Sequence, residues 1–392
     1  MYQKQIEFIA KYVAYARERK EKLLIVLVMN VKNITKSFRD YTGTSVISEY
    51  YSYDQYEEII TAIHSLGYQV KCYFDENDFI SDFELGVIRN NYPQKMLVIN
   101  SAQKGIGPGR KSLIPAFCQL HNILCASSDP YTVSFARNKF HWYCFLKELS
   151  FPVCPSWLYS KREGWLGQNH PPLGETVILK LNSESSSIGL TKDNIIKYDY
   201  TKDAMIADIC KKFNQDVIVE KFINGFETEV PVLISAENCC SLFPAGISIS
   251  NKKCIGNEIL DYDVRGNHKF EHYNFHETDS GLATQLEITT EKVALSMGIK
   301  NMGRIDYRID TNGDYYITDI ATNPHITKSM TFYYEFKKFG LDYPTILIAL
   351  TNTMVVSKLP SNPNVPPLSI SQLLILNVNK LCDCGIPDTL KP

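Results

Sequence analysis

The stretch from Gly303 to Thr327, GRIDYRIDTNGDYYITDIATNPHIT, limits what this chain can fold into more than any other. Ile305, Tyr307 and Ile309 alternate with Arg304, Asp306 and Arg308, and Tyr315 and Ile317 alternate with Tyr316 and Thr318. A period of two on both sides of Thr-Asn-Gly-Asp reads as a β-hairpin. Asn312 and Gly313 both tolerate the positive φ that a tight turn asks for. In the simplest register Asp306 and Asp319 fall near each other, two hard oxygen ligands of the kind that suit Mg2+ bridging phosphates. Arg304 leaves on the same face as Asp306, placed to meet an anion. Paired aspartates are also what a solvated hairpin carries, so the rest of the chain has to decide.

The 392 residues suffice for two or three domains. A net charge of -2 gives no reason to expect nucleic acid or an acidic membrane as partner. No apolar run has the length of a membrane span, and the charged opening MYQKQIEFIAKYVAYARERKEK lacks a signal-peptide core. The 11 cysteines, irregularly spaced, are expected to be reduced thiols of a cytoplasmic protein. Cys382 and Cys384 have no second pair to complete a zinc site, and Cys239-Cys240 is expected in a turn.

Residues 1–22 have the spacing of an amphipathic helix, and Leu23 to Asn30, LLIVLVMN, that of a strand covered on both faces. A loop of about twenty residues follows, with Lys32, Lys36, Arg39 and Glu49; it is either a substrate loop or a plain excursion. A helix over Tyr56–Leu66 ended by Gly67, a strand in YQVKCYF, a strand in Leu97–Asn100, a glycine-rich loop, a helix and a return strand complete an open parallel α/β domain by about residue 125. The glycine-rich loop SAQKGIGPGRK lacks the spacing of a nucleotide fingerprint. Next, DPYTVSFARNKFHWYCFLKEL predicts one capped helix containing Lys139. Val177–Asn182 is a strand with Lys180 between apolar neighbours, feeding a serine-rich loop with Glu184, Ser185, Ser186 and Ser187: a phosphate flap or a polar hairpin turn. Glu220 and Glu227 flank the Asn224-Gly225 turn, spaced to accept hydrogen bonds from two ends of one ligand. Residues 257–281 read as a long ordered loop offering Arg265 and His268, followed by the helix LATQLEITTEKVALSMGI. The proline-rich end after Lys358 reads as a linker and appendage.

Taken together, VINSAQKGIGPGRKSLIPAFCQLHNILCASSDPYTVSFARNK, VILKLNSESSSIGL, VIVEKFINGFETEV and MGRIDYRIDTNGDYYITDIATNPHITKSM resemble, in order, the successive motifs of the D-alanine:D-alanine ligases, ATP-grasp enzymes. The resemblance runs from about residue 23 to 357. It implies a three-domain α/β ATP-grasp fold: a Rossmann-like open parallel sheet over 1–123, a central subdomain over 124–215, a C-terminal subdomain with the metal hairpin over 216–357, and a tail over 358–392. It implies ATP with Mg2+ or Mn2+, and ligation of a carboxylate to an amine through an acyl phosphate. Lys139 and Lys180 then hold phosphates, Glu184, Ser186 and Ser187 belong to the flap, and Glu220, Lys221, Phe222 and Ile223 meet adenine. Glu227 accepts from the ribose, and Asp306 and Asp319 bind metal. Arg265 falls where the family has a long-loop lysine, Arg304 where it has the arginine that stabilises the oxyanion, and Ser186 stands with them near the reacting groups.

The departures fall on the amino-acid side. Where the family has Glu-x-Asn at the second metal strand this chain has Asp319-Ile320-Ala321, with Asn323 a candidate substitute ligand. His325 replaces a glycine after the proline, Ser185 a glycine of the serine loop, and Gly266 a tyrosine; Glu49 is the candidate for a substrate-orienting glutamate. The expected substrate is therefore an amino acid or peptide other than D-alanine, in natural-product biosynthesis. The alternatives are a nucleotide-binding protein with degenerate catalysis and a ligase charging a carrier protein. A homodimer is expected by resemblance only.

Overall fold

Seven consecutive apolar residues make a stable strand only if both faces are covered, and Leu23–Met29 forms such a strand, β1. The structure, a computed structural model, describes residues 2–36, 46–105, 107–185, 187–235, 238–261, 264 and 269–347. β1 lies between β2 (Gln69–Tyr73) and β3 (Lys95–Ser101), and β4 (Leu124–Cys125) extends the sheet, all parallel. Leu23, Ile25 and Leu27 pack into one core, Leu24, Val26 and Val28 into another. The helix Gln3–Arg19 precedes β1. The helix read from Tyr56 begins three residues earlier, at Tyr53, because Ser52 and Gln55 form a capping box.

A second, antiparallel sheet has the order β6-β5-β9-β7-β8. Its strands are β5 (Ser156–Ser160), β6 (Gly164–Trp165), β7 (Thr176–Leu181), β8 (Ile195–Lys197) and β9 (Val217–Lys221). The helix Asp203–Phe213 covers one face. The third sheet comprises β10 (Gly225–Ile234), β11 (Cys239–Ser241), β12 (Ala245–Ser248), β13 (Glu271–Asn274), β14 (Asn301–Asp310) and β15 (Tyr315–Ala321), with β10 paired to β14 along its whole length. The helix Ser280–Ser296 backs it. No helix among the described residues is long and apolar enough to cross a membrane.

Four local readings change. The single helix expected around Lys139 is two, Pro130–Ala136 and Lys139–Glu148, because Asn138 leaves helical geometry to cap the second by accepting from the His141 N–H. Cys239 and Cys240 lie on β11, not in a turn. The long loop over 257–281 contains a strand, β13, and the short helical turn Phe275–Glu277. In the hairpin, Gly313 takes a positive φ of 92° and Asn312 does not; Asp310 organises the turn, its carboxylate accepting from the N–H groups of Asn312 and Asp314. Arg39, Ser186, Arg265, His268 and everything beyond residue 347, including the tail, lie outside the described residues.

Candidate active site

The second and third sheets face each other across a cleft of about 830 Å3, partly open to solvent. The period-two geometry of strands decides what lines it. Val177 and Leu179 of β7 go into the core under the helix Asp203–Phe213, which turns Ile178 and Lys180 to the cleft. Across from them, Ile305, Tyr307 and Ile309 of β14 go into the opposite core, leaving Asp306 and Arg308 on the cleft side.

Asp319 reaches that side through an irregularity. Ile309 pairs with Tyr315 and Tyr307 with Ile317, a register that would set Thr318 opposite Asp306; a bulge between Asp306 and Tyr307 sets Asp319 there instead. The two aspartates meet because of the extra residue, not in the simplest register.

Each acidic group of the cleft holds a cation. Lys139 Nζ lies 2.5 Å from Asp319 Oδ1, and Lys180 Nζ 2.5 Å from Glu220 Oε1. Arg304 donates from Nε and Nη2 to the two oxygens of Asp306, 2.7 Å each, while its Nη1 lies 3.2 Å from Glu229. Burial disfavours the charge on Lys180, but the Glu220 carboxylate outweighs it and raises the lysine. For Asp319, burial is outweighed by Lys139, Lys180 and Arg304, and the carboxyl lies below its usual range. Burial pushes Asp306 up to about 7, with Glu229 and Asp319 adding to it against the Arg304 guanidinium.

The donor set suits a phosphate-bridging cation. Two carboxylates lie directly opposite each other, and one already draws an ammonium to 2.5 Å. Among the described residues no group of three or more His, Cys, Asp or Glu gathers to hold a metal on protein ligands alone. That fits Mg2+, which keeps waters and takes phosphate oxygens beside one or two carboxylates.

The expected residues divide. Lys139, Lys180, Ser187, Glu220, Lys221, Phe222, Ile223, Glu227, Asp306 and Asp319 all line the cleft. The Phe222 N–H is already spent on the Thr176 carbonyl at 2.9 Å, so its amide is not free to meet a ligand. Glu184 points elsewhere, to Arg110 at 2.8 Å, and is not a lining residue. Asn323 donates to the Asn100 carbonyl at 2.7 Å, away from the two aspartates. His325 stacks on Tyr51 with ring centroids 4.6 Å apart. Glu49 is fully buried among cations and offers no open carboxylate.

Arg308 was not foreseen. It braces Glu227 at 3.1 Å and ties the loop at Gly256 and Glu258 to the sheet; its place two residues after Asp306 was the available signal. Glu229 gave none, since its partner Arg304 lies far away in sequence.

The family model described as D-ala D-ala ligase C-terminus matches residues 153–352. The D-alanine--D-alanine ligase of Parabacteroides distasonis is 24% identical over 276 residues, 70% of this chain and 78% of that protein. The D-alanine--D-alanine ligase of Buchnera aphidicola (subsp. Schizaphis graminum) is 26% identical over 254 residues, 62% of this chain and 77% of that one. Among solved structures, the Bacillus anthracis D-alanine--D-alanine ligase complexed with ATP superposes with a TM-score of 0.61 at 14% identity, over 86% of this chain and 98% of that one. The VanG D-Ala:D-Ser ligase of Enterococcus faecalis gives 0.60 at 14% identity, over 85% and 99%.

Proposed function

The chain belongs to the D-ala D-ala ligase family, and from that premise we propose that it is an ATP-dependent carboxylate–amine ligase whose amino-acid substrate is not D-alanine. The juxtaposition of Asp306 and Asp319 with Lys139 and Lys180 in one cleft carries the reading. A bound nucleotide with Mg2+ or Mn2+ supplies the phosphoryl group that converts a carboxylate oxygen into a leaving group. Lys139 and Lys180 bind phosphate oxygens, and in doing so give up Asp319 and Glu220. Asp306 and Asp319 hold the cation. Arg304, held by Asp306 and Glu229, stabilises the oxyanion that develops as the amine attacks. Glu220 and Glu227 accept from the adenosine, Phe222 and Ile223 cover its apolar faces, and Ser187 closes the flap by donating to the Leu260 carbonyl. Ser186 and Arg265 complete the reacting end in this proposal, and the acceptor amine belongs to an amino acid, a peptide or a carrier protein.

The departure from D-alanine rests on the amino-acid side, where His325 stands in place of the family's glycine and its ring is stacked on Tyr51. A second reading, nucleotide binding without catalysis, is favoured by Arg304 filling both oxygens of Asp306. ADP release across a panel of amino acids and dipeptides, with mass spectrometry of the products, separates the two. An amide product with stoichiometric ADP is expected; ATP binding with no ADP above background for any pair supports the second reading instead.

A further inference from the structure

A second charged group lies beside the cleft and takes no part in the chemistry above. Four segments converge on it: the turn Val46–Glu49, the turn Pro108–Ser112 after β3, Arg137 after the helix Pro130–Ala136, and Glu184-Ser185 after β7. Glu49, with no exposed surface, is 3.3 Å from Arg110, 3.1 Å from Lys111 and 3.5 Å from Arg137. Arg110 also grips Glu184 with two nitrogens, at 3.2 and 2.8 Å.

Three cations therefore share two carboxylates, leaving one positive charge unmatched among the described residues. An unmatched charge out of water is costly, so the surplus calls for an anion. Lys111 is the member left short. Among the described residues its ammonium meets only Glu49, and burial, with Arg137 and Arg110 alongside, pulls it down to about 8 in spite of that carboxylate. The Nε groups of Arg110 and Arg137, both buried, have no acceptor among the described residues. Ser185 connects this group to the cleft. Its hydroxyl donates to Glu49 at 2.6 Å and accepts from Arg137 at 2.5 Å, and the same residue lines the cleft with Lys180 and Asp319.

We propose that the Arg110–Lys111–Arg137 group receives a second carboxylate of the substrate, so that the enzyme takes a dicarboxylic amino acid in preference to a neutral one. The proposal rests on the ligase reading for the position of the reacting carboxylate, which lies at the metal end of the cleft while the second is held past Ser185.

The test compares aspartate and glutamate, in both enantiomers, with asparagine and glutamine, which match them in shape and lack the charge. Binding to the full chain loaded with a non-hydrolysable ATP analogue is measured by calorimetry, and ADP release is followed in parallel with ATP. At least one acid is expected to bind about tenfold or more tighter than its amide, as a charge-assisted contact allows. Lys111→Met should abolish that ratio and Lys111→Arg keep it, with analogue binding unchanged in both. Lys111→Met leaves two cations facing two carboxylates, so folding is expected to survive, and a thermal melt checks it. Equal binding of acids and amides, no binding of either, or a ratio untouched by Lys111→Met overturns the proposal. Acid-selective binding without ADP release for any amine leaves this site standing and removes the ligase reading; ADP release with neutral amino acids and no preference for acids does the reverse.

Discussion

In the proposed ligase Asp306 carries more of the chemistry than any other side chain, as the carboxylate that would face the cation and the partner that aims Arg304. Asp306→Asn keeps the shape and removes the charge. ADP formation should fall by about a hundredfold or more, in line with the loss of an electrostatic contact to a transition state; turnover within a few-fold of wild type in a steady-state assay would take the residue out of the site. Glu335, on the helix Thr331–Lys338, is a different kind of buried acid. Neither of its oxygens has a hydrogen-bond partner among the described residues, and burial, with Glu287 and Glu229 nearby, pushes its carboxyl well above the usual range. The folded chain thus binds a proton that the unfolded chain releases above its ordinary carboxyl range, and this side chain costs stability as pH rises through that range. Glu335→Gln should accordingly raise Tm at pH 7 relative to wild type and leave it unchanged near pH 4. A lower Tm at pH 7 would mean that an ionised Glu335 is needed.

The hairpin β14–β15 and the turn between β9 and β10 set the cleft geometry. Gly225 takes φ of 154° where β10 pairs with the end of β14, and a Cβ there would sit 2.0 Å from the Ile309 carbonyl oxygen. That neighbour is backbone and cannot swing aside, so Gly225→Ala should cost about 2 to 4 kcal/mol in urea denaturation and weaken nucleotide binding, since Glu220 and Glu227 flank this turn; a loss under about 0.5 kcal/mol would contradict the clash. Ala321 lies two residues beyond Asp319, opposite Arg304. Ala321→Asn should tighten Mn2+ binding, read by electron paramagnetic resonance in the presence of ADP, by about threefold to tenfold; an unchanged affinity would show that water already fills the coordination. What the sequence revealed of these elements follows from periodicity. β1, β7 and both arms of the hairpin are written in apolar spacing, whereas the bulge that brings Asp319 opposite Asp306 adds one residue without altering composition. The helix break at Asn138, which pins Lys139 to the end of β7 through the Asn182 carbonyl, likewise looks like ordinary helix interior until its cap is seen. β13 stayed hidden because four residues of mixed polarity at a sheet edge carry no period.

Across the molecule, the core under one face of β1 also takes Leu233, Met302, Ile326 and Phe332, so the first and third sheets are packed as one. The second sheet has a core of its own with the helix Asp203–Phe213. Lys180 and Glu220 therefore sit on one body and the aspartates on another, with the cleft between them. The buried charges around Glu49 join both bodies, through contacts such as Arg110 with Glu184, 74 positions apart, which no local pattern announces. In the proposed ligase, nucleotide phosphates and a divalent cation are held between these sheets. A crystal structure of the chain with a non-hydrolysable ATP analogue and Mg2+ tests it most directly. Lys139 and Lys180 are expected on phosphate oxygens, with the cation against Asp306 and Asp319. Nucleotide bound elsewhere, with Lys139 still on Asp319 and Lys180 still on Glu220, would contradict it.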